Sequence, residues 1–298
     1  MSILIAILID GLVYASWLFL VAVGLTLVGG VMRILNVAHG ALYAFGAYCT
    51  ATLLAWWYAA KLPPLGSLSM MLLAALAVGI VLGLLLERGM LRFVYDRDEV
   101  VIVLITFAAF LILEDLLMLI WGTSALPAYE PYSLLGRTEI RSLVFSNYDL
   151  ALIGVAALVT VALWFGLTQT RAGKLLRAVI HDRDMAQIVG INVVRYTTVT
   201  FVIGCFFGAL GGALTAPMIS IQPGIGVEVI VIAFAVVVIG GLGSIPGALL
   251  GSLLVGLSRA ASVHLAPQFE VFVIYLVMTV VLAVRKEGLF APAAVRKI

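Results

Sequence analysis

Glu114, Asp115 and Arg259 are ionisable side chains that lie inside long apolar runs of this sequence. A charge at the middle of a bilayer costs about 2.5–3.5 kcal/mol on insertion scales, so such groups normally face protein or water. They could therefore form a proton relay, or an ion pair and water-facing rim near the membrane surface. Glu114 and Asp115 lie about two thirds of the way along their run and Arg259 at a similar depth in another, which favours the rim.

Motifs for several other chemistries are absent from the sequence. Gly173-Lys174 has Thr168 where a phosphate-binding loop needs its first glycine, and Leu175 where the loop needs Ser or Thr. There is no His-Glu-x-x-His zinc motif and no Gly-x-Ser-x-Gly nucleophile turn, and the three histidines are scattered. We therefore expect no metal site, no cofactor and no enzymatic activity in this chain itself.

The longest hydrophilic stretch covers residues 170–195 and carries five of the seventeen basic residues. Apolar residues recur in it at helical spacing, and Gly190 provides a stop signal. Those apolar residues are Leu175, Leu176, Val179, Met185, Ile188 and Val189. A short amphipathic helix beside a membrane either floats on the lipid surface or docks on a soluble partner. We predict a docking loop over about residues 169–196.

Membrane-spanning helices must position these residues. Mean hydropathy is +1.23 and 11% of the 298 residues are charged, against about a quarter in soluble domains. Because a bilayer core needs about 20 apolar residues per helix, the sequence predicts an all-α integral membrane protein, a polytopic bundle of 8–9 spans in a single domain over 1–298. The apolar runs are 3–31, 37–58, 68–86, 100–121, 150–167, 197–221, 227–239, 248–264 and 269–284.

Basic residues divide unequally between the two sides of the predicted membrane. Alternating loops place thirteen of the seventeen on one side, and Lys and Arg near span ends stay in the cytoplasm. The thirteen are Arg33, three in the loop 87–99, five in the stretch 170–195, and Arg285, Lys286, Arg296 and Lys297; the other side holds Lys61, Arg137 and Arg141. This division predicts a cytoplasmic C-terminus and docking loop. Nine crossings would place the N-terminus outside, and the choice between eight and nine stays open.

Two stretches share a break, a capping residue and a resumed helix with the sequence Gly-Ala-Leu. Asn36 precedes one and Ser244 the other, and both are good N-cap residues. Such glycine-broken segments indicate an inverted internal repeat with broken helices near a transport pathway, or glycines that only let helices pack closely. We predict a pathway between helix N-termini aimed at a carboxylate. Its residues would be Asn36, His39, Gly40, Gly243, Ser244 and Pro246.

The chain resembles the branched-chain amino-acid ABC importer permeases of the LivH type. The resemblance rests on Ile34–Tyr48 (ILNVAHGALYAFGAY), and on three further stretches in the family's order and spacing. These are the region around Arg177, Asp182 and Gly190–Asn192; Thr200–Gly204; and Gly240–Ala248. Glu114 and Asp115 depart from the family, in which uncharged polar residues are expected at these positions.

The resemblance implies that the docking loop is the coupling helix of an ATP-driven importer in a bacterial inner membrane. The coupling residues would be Asp182, Arg183, Met185, Ala186, Val189 and Gly190. Bulky residues at Ala186 or Gly190 are expected to uncouple ATP use from uptake without unfolding the protein. The implied partners are a second permease of the different LivM type, two cytoplasmic ATP-binding subunits, a periplasmic solute-binding protein and membrane lipid, without nucleic acid.

A second function fits the same residues. A proton-coupled secondary transporter working alone would use Glu114, Asp115 or His39 as its relay. Neighbouring genes for ATPase and binding-protein subunits would favour the importer over this alternative.

Overall fold

A computed structural model describes residues 2–32, 34–95, 97–140 and 143–290, over which nine long helices form one bundle. Each of the nine predicted apolar runs coincides with one of these helices. They are α1 (Ser2–Met32), α2 (His39–Ala59), α3 (Ser67–Gly89), α4 (Glu99–Trp121), α6 (Asn147–Gln169), α9 (Val193–Thr215), α10 (Ile225–Gly240), α11 (Ile245–Leu265) and α12 (Glu270–Val284). Arg33, Arg141, Arg296 and Lys297 lie outside the described residues. The predicted polytopic helical membrane bundle is confirmed.

Smaller elements occupy the two polar connections. The polar region from Gly122 to about Asn147 is predicted as a loop, but it contains α5 (Glu130–Leu134) and an antiparallel pair of strands, β1 (Arg137–Ile140) and β2 (Leu143–Ser146). The basic stretch forms two helices, α7 (Arg171–His181) and α8 (Arg183–Ile188). The break falls at Asp182, whose backbone is extended because its side chain caps α8.

Seven of the nine long helices are both long and apolar enough to cross a membrane unaided. The other two are α2, whose polar and aromatic residues lower its hydropathy, and α10, whose 16 residues are too few. Helix α12 reaches spanning length only together with the turn before it, over Pro267–Val284. Helices α2 and α10 are both largely buried among other helices, so α2 can carry polar groups that lipid would exclude. The count of eight or nine crossings stays a prediction.

The two predicted breaks differ in detail. Ser244 is the N-cap of α11, as predicted, and its hydroxyl accepts a hydrogen bond from the Gly247 amide at 3.1 Å. Asn36 instead caps a turn that precedes its helix: its Oδ1 accepts from the Ala38 amide at 3.1 Å, and α2 begins only at His39. The start predicted at residue 37 is therefore two residues early. The inverted repeat stays a prediction.

The core lies where α9 crosses α1, α2 and α3. Glycines allow this close approach, since a Cβ at Gly46 would overlap the Ala209 carbonyl and one at Gly212 would overlap the Tyr43 carbonyl. Buried aromatic rings fill the remaining space, and Tyr43 donates to or accepts from Thr215 at 2.6 Å between the two hydroxyl oxygens. The crossing therefore leaves no room for larger side chains at the two glycines.

The described basic segments meet at one end of the bundle, here called the basic end. Arg177 of α7 and Phe290 of the C-terminal segment line one cleft with Gly30, near the end of α1. Arg183 at the start of α8 lies over the ring of Tyr95, in the connection between α3 and α4. The opposite end holds the start of α1, where Asp10 contacts His264 at 2.7 Å.

Candidate functional site

Helix α8 has a defined start and stop. Asp182 Oδ1 accepts a hydrogen bond from the Met185 amide at 2.9 Å, and an acidic group there also complements the helix dipole. Gly190 follows the helix with φ +85°, and the amides of Gly190 and Ile191 bond back to the carbonyls of Gln187 and Ala186. These are the hydrogen bonds of a glycine-terminated helix end. Gly190 therefore ends α8, as its stop signal predicts, and the coupling role of this helix stays a prediction.

Three apolar side chains of this segment point away from the protein. Met185, Ile188 and Val189 are 59%, 77% and 71% exposed, and they are here called the ridge. They adjoin the polar or charged residues Arg183, Asp184 and Gln187, which are also exposed. A contiguous apolar strip at the basic end of a membrane bundle is the kind of surface that a partner's groove covers.

Ala186 lies on the other side of α8 and fixes it to the protein. It is 3% exposed and packs with Val179 of α7 and Val193 of α9, with Ile191 and Tyr196 at the margin. Movement of the ridge would therefore be transmitted to α7 and α9. A bulky residue at Ala186 would break this small core, so the expectation of uncoupling without local unfolding does not suit this position.

Gly190 is also a poor site for a bulky probe, because L-residues are strained at its φ of +85°. We expect Gly190→Ala to destabilise the end of α8 by about 1–2 kcal/mol, since a Cβ is disfavoured in the left-handed region. Hydrogen exchange of amides 186–191 should then accelerate. Gly89→Ala is the matched control: Gly89 ends α3 without a positive φ, and an added Cβ would meet nothing within 4 Å. Equal exchange rates at 186–191 in both variants would contradict this prediction.

The first three predicted pathway residues lie deep inside the bundle. Asn36 and His39 are at most 1% exposed, and His39 Nε2 lies 3.0 Å from the Val21 carbonyl oxygen. The imidazole fills the space between Gly24 and Gly208 at the crossing of α1, α2 and α9. Gly40 contacts Gly226, so the first turns of α2 and α10 meet within the bundle. Two helices thus begin side by side away from the ends of the bundle.

The other three predicted pathway residues line a separate cleft of about 530 Å³ at the basic end. Gly243, Ser244 and Pro246 form one wall, and Trp164 of α6 and Arg177 of α7 lie among the others. The structure therefore does not gather the six predicted residues at one place. Asn36, His39 and Gly40 lie in the core of the bundle. Gly243, Ser244 and Pro246 line a cleft at its basic end.

The three intramembrane charges do not form one cluster. Glu114 is buried against the first turn of α10, where a Cβ on Gly226 would stand 2.5 Å from Glu114 Oε1. A carboxylate is favourable at that helix N-terminus. Asp115 is exposed on the outer face of α4. Arg259 instead forms an ion pair with Glu270 and lies 4.1 Å above the Tyr14 ring.

Arg259 lines a second cleft, of about 720 Å³, toward the opposite end. Its walls are mainly aromatic and aliphatic, and its charged members are Arg259, Glu228 and Glu270. Sequence reasoning overlooked Glu270, which pairs with Arg259 across the turn between α11 and α12. Eleven residues separate Arg259 from Glu270, so a short-range charge search could have found the pair.

A family model and relatives that match over nearly the whole chain point to the same family. The family model for the branched-chain amino acid transport system permease component matches residues 7–282. The high-affinity branched-chain amino acid transport system permease protein BraD of Pseudomonas aeruginosa is 30% identical over 98% of this chain and 97% of its own length. The corresponding permease protein LivH of Escherichia coli K12 is 29% identical over 97% of this chain and 96% of its own.

A search of solved structures found a looser likeness. A transporter assigned to the metal-chelate ABC type, in an inward-facing conformation, superposes with a TM-score of 0.49. It is 15% identical and covers 94% of this chain and 83% of its own. A likeness at that score supports no argument about this chain.

Proposed function

The chain belongs to the branched-chain amino acid transport permease family, and from this premise we propose that it is the membrane subunit of an ATP-driven importer for branched-chain amino acids or related small polar or carboxylate solutes. The chain is a transport permease and not an enzyme. ATP hydrolysis is assigned to separate partner chains. The alternative of a stand-alone proton-coupled transporter is not favoured, because the relatives that match over nearly the whole chain are permease components of a branched-chain amino acid transport system.

The observation that carries this proposal is the ridge at the basic end. A permease that hydrolyses no ATP needs a surface through which an ATPase can move it. The ridge presents three exposed apolar side chains on a capped helix whose inner face is anchored to α7 and α9. A helix that is already fixed in this way can bind in a partner's groove with a smaller loss of conformational entropy than a flexible loop.

The proposed partners follow from the same premise. They are a second permease, which is a different chain of the LivM type, two ATP-binding subunits on the ridge side, and a periplasmic solute-binding protein on the opposite side. The basic end would then be cytoplasmic, with the C-terminus on that side of a bacterial inner membrane. The positive-inside rule supports this orientation, because the described basic segments meet at one end.

The proposed mechanism is alternating access. Closure of the ATPase pair shifts α8, and α8 moves α7 and α9 through the packing of Ala186, Val179 and Val193. Each ATPase state binds one arrangement of the permease more tightly, and this difference in affinity supplies the bias. Hydrolysis then resets the preference. The membrane helices thereby open the solute route first to one side and then to the other.

We place the solute route beside the joined first turns of α2 and α10. Two helix N-termini within the bundle, at His39 and Ile225, are typical of transporter sites built from broken helices. Gly243, Ser244 and Pro246 would line its inner mouth. Ser244→Trp is expected to block uptake while the complex still assembles, and unchanged uptake would remove these three residues from the route.

Assembly and uptake together test the proposed function. The chain is co-expressed with its genomic neighbours, purified, and placed in vesicles with the solute-binding protein. We expect two ATP-binding subunits and a second permease to co-purify, and leucine uptake to require ATP. Uptake that runs on a proton gradient without ATP would contradict the proposal, as would purification of the chain alone from such cells.

A further inference from the structure

A fully buried carboxylate lies at the basic end, and the alternating-access mechanism proposed above does not use it. Glu87 occupies the last turn of α3 and is 0% exposed. The sequence places it in a charged loop beside Arg88, so its burial was not predicted. Burying a carboxylate is costly unless donors compensate it, and an apolar residue would serve packing better.

Two hydroxyl groups from different parts of the chain meet the same oxygen of Glu87. Thr198 Oγ1, in the first turns of α9, lies 2.9 Å from Glu87 Oε1. Tyr95 Oη, in the connection between α3 and α4, donates to the same atom at 3.2 Å. Glu87 Oε2 has no hydrogen-bond partner among the described residues. One carboxylate thus joins α3, α9 and the connection, and its Oε2, which is unpartnered within the part of the chain that the structure describes, can accept a new donor.

Tyr95 connects this carboxylate to α8. The guanidinium carbon of Arg183, the first residue of α8, lies 5.9 Å from the centre of the Tyr95 ring, within the range of a cation–π contact. Burial, and next the nearby Glu87 carboxylate, raise the pKa of the Tyr95 phenol well above its ordinary value. The hydroxyl therefore keeps its proton and remains a donor to Glu87 at any physiological pH.

These contacts form a continuous path from the ridge helix into the membrane helices. Its members are Arg183, Tyr95, Glu87 and Thr198, here called the Glu87 link. The packing of Ala186 reaches α7 and α9 but not α3. The Glu87 link is thus a second connection from α8, and it reaches α3 and the segment that leads into α4.

We propose that Glu87 is a positioning residue for transport, which transmits the displacement of α8 through Tyr95 to α3 and α9 so that the two helices move together. The inference rests on the proposed function, because it assigns a role within ATP-driven coupling. When α8 shifts, Arg183 and Tyr95 shift with it, and the free Oε2 lets the carboxylate exchange donors without breaking both existing bonds. The link acts after the ATPase has docked and therefore contributes to coupling and not to docking.

The test measures solute transported per ATP hydrolysed by the assembled complex in vesicles. Tyr95→Phe removes the hydroxyl and keeps the ring under Arg183, and Glu87→Gln keeps the volume and removes the charge. We expect both complexes to assemble and to hydrolyse ATP within about twofold of the unmodified complex, and leucine moved per ATP to fall at least about fivefold. Tyr132→Phe is the matched control, since its hydroxyl also bonds a carboxylate, Asp149 at 2.8 Å, but away from α8.

Any of three other results in these variants would overturn the inference. An unchanged ratio in Tyr95→Phe and Glu87→Gln would show that the link only stabilises the fold, whether or not the melting temperature falls. Loss of ATPase co-purification in Tyr95→Phe would place Tyr95 in docking instead. An equal fall in Tyr132→Phe would show a general sensitivity to lost hydroxyls. A different result, no ATP-dependent uptake by the unmodified complex, would contradict the proposed function itself.

Discussion

Ile188→Asp is expected to abolish ATP-driven uptake while the permease still folds and reaches the membrane. Ile188 is 77% exposed and contributes little to the fold, but it lies in the middle of the ridge. A carboxylate buried in an apolar partner groove, together with the lost apolar contact, should cost about 3 kcal/mol or more. That energy corresponds to roughly a hundredfold weaker association. The measurement is the amount of ATP-binding subunit that co-purifies, together with leucine uptake.

Leu65→Asp is the control for this substitution. Leu65 is 67% exposed in the short turn before α3, at the end of the bundle opposite the basic end and α8. It tests whether any new charge on an exposed apolar residue disturbs the protein. We expect normal ATPase co-purification with Leu65→Asp. Normal co-purification and uptake with Ile188→Asp would exclude the ridge as the ATPase contact.

Gly212→Leu is expected to prevent folding of the bundle, which is the second large effect. A Cβ at Gly212 would overlap the backbone carbonyl of Tyr43, and no side-chain rotation can relieve a contact with backbone. The crossing of α2 and α9 would have to open, which costs at least about 3 kcal/mol in lost packing and strain. The measurement is the fraction of monodisperse permease recovered from membranes and its melting temperature.

Gly154→Leu is the matched control, because Gly154 is also inside a long helix, α6, and an added Cβ there would meet nothing within 4 Å. We expect this variant to be recovered at the unmodified level. Equal recovery of the Gly212 and Gly154 variants would contradict the close crossing of α2 and α9. Close packing by glycine is observed at Gly40, which contacts Gly226, while broken helices near a transport pathway stay a prediction.

The sequence predicts the nine helices because lipid imposes length and hydropathy on each one separately. It also predicts α8, because Asp182 and Gly190 mark its ends locally. Its prediction of one plain loop before α6 is wrong, since short strands pair through contacts that hydropathy does not report. The start of α2 is misplaced for a similar reason: the Asn36 cap closes a turn and not the helix.

The Glu87 link could not be found by such local signals. Thr198 lies 111 residues from Glu87 in the chain, and the two meet only because α3 packs along α9. The place of His39 between Gly24 and Gly208 also depends on how three helices cross. Arg259 was grouped with Glu114 by depth alone, whereas packing of α11 on α12 gives it Glu270. Depth in a membrane does not specify which face of a helix a side chain occupies.

The central claim is that the ridge carries force from an ATPase, and a photo-crosslinking residue at position 188 tests it most directly. In the complex purified after co-expression with the neighbouring genes, illumination should crosslink position 188 to an ATP-binding subunit in high yield. The same probe at position 65 should form no crosslink to that subunit. Crosslinks from position 188 to lipid alone, or a probe left unreacted in solvent with the ATPase present, would contradict the account.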